Sequence, residues 1–363
     1  MSVQASALHQ PSSVVSSTGW RSRTLAVILM VAIAGIFWAD SRYPALMKRY
    51  RAGTQVKAAG ALTFGTVYPV DRTMPLATRV WRTSINWLDA NRIGMTFAFL
   101  FGPAALTFLA TVRRRRTGSR YLNALVGAVV GAPLAVCSNC VAPIARGFYA
   151  SGMSTESVLA ATFASPALNV VVLAMTFALF PASIALLKLA TVLFLIFVFA
   201  PAVASRQGAS DRAVACSIEV PVLETWTQAL VSTARSFARS FWYVFRVAFP
   251  LMILAAVLGA LVIELLPPQA LNAQVTGGGI ILVALVGAFL PVPLTFDVAI
   301  AYIAMTKGVP LAYVVTILCT LGIISVFSVA IIGKTISWKV AAAAYAAVVA
   351  LGAVAGLLTH AIS

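Results

Sequence analysis

The sequence predicts an all-α polytopic integral membrane protein of about eight to ten transmembrane helices, arranged as two related halves with broken helices. Three observations predict it. Hydrophobic residues occupy 61% of the 363 positions and charged residues only 10%, with a mean hydropathy of +0.96, more apolar surface than a soluble core of this length hides. Apolar runs long enough to cross about 30 Å of hydrocarbon, which takes about 20 helical residues, recur along the chain. Proline and polar residues interrupt several of these runs, and the interruptions repeat at a fixed spacing.

Residues 1–23 are polar, rich in Ser and Gln, and read as a disordered tail. Arg21 and Arg23 precede an apolar run at 24–39, where Trp38-Ala39-Asp40 makes a poor cleavage site. That run is therefore expected to stay as a first span, not to leave as a signal peptide, with an extramembrane loop following to residue 91. Runs at 92–112, 121–150, 155–180 and 182–204 form a first half over 92–204. Residues 205–240 carry Arg206, Asp211, Arg212, Glu219 and Glu224 and read as a linker. Its stretch 225–240 suits an interfacial amphipathic helix or a solvated one equally. Runs at 241–266, 279–306, 309–333 and 337–359 form the second half, 241–363.

The net charge of +17 sits mostly between apolar runs, where Lys and Arg meet anionic headgroups and set orientation. The expected polyanionic partner is the lipid bilayer, with no nucleic acid. Arg113 to Arg116 form the densest basic cluster and are expected in the cytoplasm, with the amino terminus. The long loop's Arg42, Lys48, Arg49, Arg51 and Lys57 argue the other way.

Shifting the chain by 156 positions lays 126–174 on 282–330 without a gap, pairing Gly131 with Gly287, Leu134 with Leu290 and Gly152 with Gly308. The helix breakers coincide as well: Cys137 falls on Pro293, Pro166 on Gly322 and Asn169 on Ser325. Coincident breakers are stronger evidence of a repeat than matches among Ala and Val. In lipid, broken backbone survives only where it is buried in protein or lines a cavity, and discontinuous helices build mid-membrane substrate sites. The breaks at 137–143, 165–169, 291–297 and 320–325 are thus expected to converge on a central path.

Cys137-Ser138-Asn139-Cys140 lies between Pro133 and Pro143. Two thiols three positions apart can bind a soft metal or metalloid, cycle between dithiol and disulfide, or pack as small apolar groups. Four-ligand zinc is disfavoured, because Cys216, Cys319, His9 and His360 are not spaced to complete a site. Asn169, after Ser165-Pro166, is expected either to bond the opened backbone or to touch a substrate. Asp297, deep in an apolar segment, is a site candidate by default, for relaying protons or attracting a cation; the plain alternative is a helix cap. Glu264, Arg146, Lys188, Lys307 and Lys334 lie nearer predicted ends and are expected to snorkel, while Arg246 is deeper and suited to pairing with a carboxylate. Gly277-Gly278-Gly279 lacks the Lys-Ser/Thr of a phosphate loop. No enzyme signature appears and no cofactor is expected.

The run Gly131 to Asn169 resembles the predicted-permease family that includes the bacterial organoarsenical efflux permeases, whose first-half pattern is similar to Cys-Ser-Cys-Gly-x-x-Pro followed by Ala-x-Pro-Ala-x-Asn. Cys137, Ser138, Pro143, Pro166 and Asn169 match it. Asn139 stands where the family has its second Cys, and Cys140 where it has Gly, so the thiol spacing differs. The resemblance implies a multi-pass permease of the cell inner membrane that exports a small solute or ion, such as a thiol-reactive metalloid or soft metal ion. Cys137 and Cys140 would be the soft ligands, with Ser138, Asn139, Pro143, Ser165, Pro166, Asn169, Asp297 and Ser325 around the path. Energy would come from an ion gradient or a separate partner subunit, and a homo-oligomer is compatible with it. The rival is a transmembrane thiol-disulfide oxidoreductase using the same pair. It is disfavoured because Cys137 maps onto Pro293, and Cys319 onto Phe163, so the halves lack equivalent thiols.

Overall fold

The computed structural model describes residues 19–44, 47, 67–71, 73–111, 118–206, 224–265 and 275–362, and no β-strand occurs among them. The remaining residues, including the first part of the polar tail, Arg113 to Arg116, Lys48, Arg49, Arg51, Lys57 and the linker's Asp211, Arg212 and Glu219, lie outside the described residues. In chain order the helices are α1 (Trp20–Arg42), α2 (Leu76–Leu109), α3 (Arg120–Gly131), α4 (Ser138–Ala150) and α5 (Thr155–Ala167). Then come α6 (Val170–Leu179), α7 (Ala182–Arg206), α8 (Trp226–Leu265) and α9 (Gly277–Phe289). The last four are α10 (Phe296–Thr306), α11 (Leu311–Thr320), α12 (Val326–Thr335) and α13 (Trp338–Ile362).

Five of the apolar runs are single helices long and apolar enough to cross a membrane, namely α1, α2, α7, α8 and α13. The other four are divided: α3 from α4, α5 from α6 with a 47° bend, α9 from α10 and α11 from α12. Two boundaries differ from the sequence expectation. The second span starts at Leu76, well before residue 92, because Trp81, Trp87 and Leu88 extend its apolar face over the charged turn at Asp89 and Arg92. Residues 226–240 are the first turns of the 40-residue α8, with Trp226 and Ser232 against Trp20 and Ser22 of α1, and are continuous with the span that follows them.

Helix boundaries recur at the 156-residue offset. Val170–Leu179 maps onto Val326–Thr335, Ala182–Arg206 onto Trp338–Ile362, and the ends of α2 and α8, Leu109 and Leu265, coincide. Gly152 and Gly308 both take positive φ, 86° and 80°, at equivalent turns. Asn169 and Ser325 cap equivalent helices, each side chain accepting from the amide three residues on, as N-cap residues do.

The two sets of short helices dock crosswise. α12 packs on α4, and α6 on α10, while α2 and α8 pack along each other. Within the first set α3 crosses α5 at very close range. A Cβ at Gly131 would stand 2.5 Å from the Ala161 carbonyl, and one at Gly127 would overlap the Ser157 backbone, the small-residue crossing by which membrane helices approach without a hydrophobic drive.

Candidate functional site

Each break must satisfy its freed backbone groups within the protein, and the side chains that do so define the centre of the molecule. After α3 the chain passes Ala132–Leu134 in a single 3₁₀ turn, then Ala135 at φ 49°, a left-handed residue. The far end of α1 covers this turn. Trp38 Nε1 donates to the Pro133 carbonyl at 2.8 Å and Arg42 Nε to that of Ala135 at 2.6 Å. The Ser165 hydroxyl of α5 lies 3.3 Å from both the amide and the carbonyl of Val136. The break therefore occupies 132–137, and Pro143 sits inside α4, two turns beyond the interruption expected of it.

Cys137 is the N-cap of α4, its Sγ accepting from the Cys140 amide at 3.2 Å. The cap brings the two sulfurs to 2.6 Å; both thiols are free and buried. On the α2 side, Cys137 Sγ donates to Asn91 Oδ1 at 3.5 Å. Gly94 makes room for the other sulfur, since a Cβ there would lie 2.7 Å from Cys140 Sγ.

Asn139 ties this turn to the second half. Its Nδ2 donates to the Val292 carbonyl at 3.1 Å and its Oδ1 accepts from Ser325 Oγ at 2.6 Å. Ser328 Oγ donates to the Ser138 carbonyl at 2.7 Å. The amino ends of α4 and α12, each the positive end of a helix dipole, thus face each other at the thiols. The Ser138 hydroxyl, fully buried, has no hydrogen-bond partner among the described residues.

Asn169 holds its own break together. Its Nδ2 donates to the Ser165 and Pro166 carbonyls at 2.7 and 3.1 Å, and its Oδ1 accepts from the Val172 amide at 3.0 Å. Of the two roles expected for it, the structure displays the backbone one. Pro166 lies in the last turn of α5 and leaves the bend to residues 168 and 169.

Asp297 stands in the first turn of α10 after Thr295, itself left-handed at φ 69°. Its carboxylate does not cap that helix. It meets Lys188 Nζ at 2.5 Å, with the two side chains 8% and 3% exposed. Lys188 was expected to snorkel, and this is corrected: α7 carries it inward, where the Asp297 carboxylate compensates its charge. Arg146 is also buried, its guanidinium 4.3 Å over the Tyr243 ring, and Glu264 forms an ion pair with Arg79 at 2.7 Å. Lys307 and Lys334 are exposed. Arg246 is exposed too and lies 5.8 Å over the Tyr243 ring, with no carboxylate partner among the described residues.

The structure thus joins Cys137, Ser138, Asn139, Cys140, Ser165 and Ser325 in one cluster and sets Asp297 in another with Lys188. Cys319 belongs beside the second, with Thr191 Oγ1 4.0 Å from its sulfur. The sequence did not single out Asn91, Gly94 or Ser328, and it suggested a snorkelling role for Lys188. The first two were legible as a polar and a small residue one turn apart facing one way in α2, but nothing in the sequence tied them to residues 137–140. Among the described residues no three His, Cys, Asp or Glu side chains converge to hold a metal ion, so the thiol pair offers two soft donors and no resident metal cage.

A family model described as a predicted permease matches residues 104–361, from the end of α2 to the end of α13. No curated protein and no solved structure matches the chain. With 258 of the 363 residues inside the match, the chain belongs to the predicted-permease family and is a multi-pass membrane permease.

Proposed function

We propose that this permease, in the cell inner membrane, exports a small thiol-reactive solute, a trivalent metalloid or soft metal ion, through the site at the first-half break. The observation that carries the reading is the buried Cys137/Cys140 pair, walled by Asn91 and Gly94 of α2, in a turn whose Ser138 and Asn139 bond across to the start of α12. Soft cargo is taken by soft ligands. A trivalent arsenical with two exchangeable hydroxyls, such as methylarsonous acid, matches two thiols: each S–H is replaced by an S–As bond, and two waters leave. Ser138, between the two thiols in the same turn, lines the site with a buried hydroxyl that has no hydrogen-bond partner among the described residues. Asn139 and Ser325 tie the halves together over the cargo and part when the site changes sides, while Pro143, Ser165, Pro166 and Asn169 frame the path. Energy comes from an ion gradient or a separate subunit.

The test is resistance and efflux in a host lacking its own arsenical exporters. Cys137→Ser and Cys140→Ser are each expected to abolish resistance to methylarsonous acid at unchanged membrane abundance, because Ser keeps the volume and loses the soft donor. Full resistance in the double variant refutes thiol coordination. Two buried free thiols side by side at a Cys-x-x-Cys spacing also suit a dithiol that cycles to a disulfide. A mixed disulfide trapped with a periplasmic thioredoxin-like protein would establish that reading instead.

A further inference from the structure

The two clusters occupy equivalent breaks of the two halves and carry different chemistry. The offset that maps α4 on α10 places Val141 opposite Asp297, and the offset from α7 to α13 places Ala344 opposite Lys188. Val141 and Ala344 are fully buried apolar residues. In the other direction Cys137 and Cys140 map onto Pro293 and Phe296. One break thus has thiols and the Arg42 guanidinium that α1 brings to it, with no acid inside the break itself, and the other has a buried ion pair and no thiol of its own. A buried ion pair is a weak source of stability, because desolvation offsets its attraction, and ionisable residues in a membrane interior mark ion pathways and proton relays. Packing alone does not call for this pair, since the apolar residues fill the same place in the other half.

We propose that the Lys188–Asp297 pair is the permease's coupling-proton site, one per chain. The ion pair bridges α7 of the first half and α10 of the second, so it closes only when the halves are docked as seen here. Opening toward the outside wets the site. The Asp297 carboxylate then takes a proton from water, becomes a neutral acid and releases the Lys188 ammonium. Opening toward the inside returns the proton to cytoplasmic water and the pair re-forms. Lys188 of α7 meets Asp297 directly, Cys319 of α11 lies beside Thr191 one turn on from Lys188, and α6, also packed on α10, has no titratable side chain. The αL turn at Gly322 (φ 82°) packs on it so closely that a Cβ there would lie 3.2 Å from the Asp297 side chain, which couples the carboxylate to the break between α11 and α12. This inference rests on the permease reading but not on the identity of the cargo.

Two measurements on the full chain in phospholipid vesicles test it. Infrared difference spectra between alkaline and acidic buffer are expected to show a protonated-carboxyl signal that is lost in Asp297→Asn. Identical spectra for the two proteins overturn the proposal, whatever the cargo. In the second measurement, an imposed pH difference of one unit, about 1.4 kcal/mol, is expected to hold methylarsonous acid at about a tenfold gradient relative to protein-free vesicles. The neutral pair Lys188→Met with Asp297→Leu, which avoids leaving one buried charge alone, is expected to reduce that ratio to about one while thiol-dependent binding persists. A retained tenfold ratio in the neutral pair overturns the coupling role. If Cys137→Ser with Cys140→Ser transports normally while the Asp297 variants lose coupling, the thiol reading fails and the proton site stands.

Discussion

Asn139 is the residue on which the centre turns, because its carboxamide uses both ends: one donates to Val292 and the other accepts from Ser325. Removing either partner leaves a buried amide atom alone. In water-soluble proteins that costs about 1–3 kcal/mol, but cross-helix hydrogen bonds in membranes average about 0.6 and reach about 1.7, so the lower range applies. Ser325→Ala and Asn139→Ala are therefore expected to lower unfolding stability in detergent by about 0.6–1.7 kcal/mol each. The double variant should lose less than the sum, a non-additivity that marks a direct contact; strict additivity would show that the two do not depend on each other. At this scale the sequence was legible where a polar group interrupts an apolar run, as at Cys137, Asn139 and Asn169. It was silent on partners. Lys188 read as a snorkelling residue because a long stem near a predicted end permits that, and only the fold brings Asp297, 109 residues away, to its ammonium.

The elements show the same division between local and remote causes. Each apolar run is visible as a run, and its interruption is visible as a proline or glycine, yet proline alone does not place the break: Pro133, Pro291 and Pro293 lie in breaks and two others do not. Pro143 is accommodated inside α4 and Pro166 in the last turn of α5, while the break near residue 135 is fixed by Trp38 and Arg42 of a distant helix. The crossing of α3 on α5 makes an element-scale prediction. Gly131→Ala places a methyl 2.5 Å from the Ala161 carbonyl, backbone that cannot rotate away, so the helices must separate. Overpacking of this kind costs about 1–3 kcal/mol, and Gly131→Leu is expected to cost more. Gly35→Ala in α1 meets nothing within 4 Å and is expected to be neutral or slightly stabilising through helix propensity, by up to about 1 kcal/mol. Thermal unfolding followed by fluorescence-detected size exclusion compares them; equal midpoints for the Gly35 and Gly131 variants would refute the close crossing.

The 156-residue repeat was readable from coincident breakers, but crosswise docking was not, because a repeat says that two units are alike and nothing about how they meet. In the structure each half completes the other. Trp87 of α2 donates to the Pro291 carbonyl, Asn139 to that of Val292, Arg79 pairs with Glu264 and Lys188 with Asp297. A half standing alone would leave broken backbone and a buried charge without partners, each a serious cost in hydrocarbon, where no water replaces them. Neither half is therefore expected to be a stable body by itself, and the connection between them is expected to be dispensable. Two genes encoding residues 1–206 and 224–363, expressed together, should yield fragments that co-purify through a tag on the first and restore at least part of the resistance of the intact chain. Either fragment expressed alone should be degraded. Stable accumulation of a lone half, or co-expressed halves that never purify together, would show that these cross-half contacts do not hold the molecule together and that covalent linkage does.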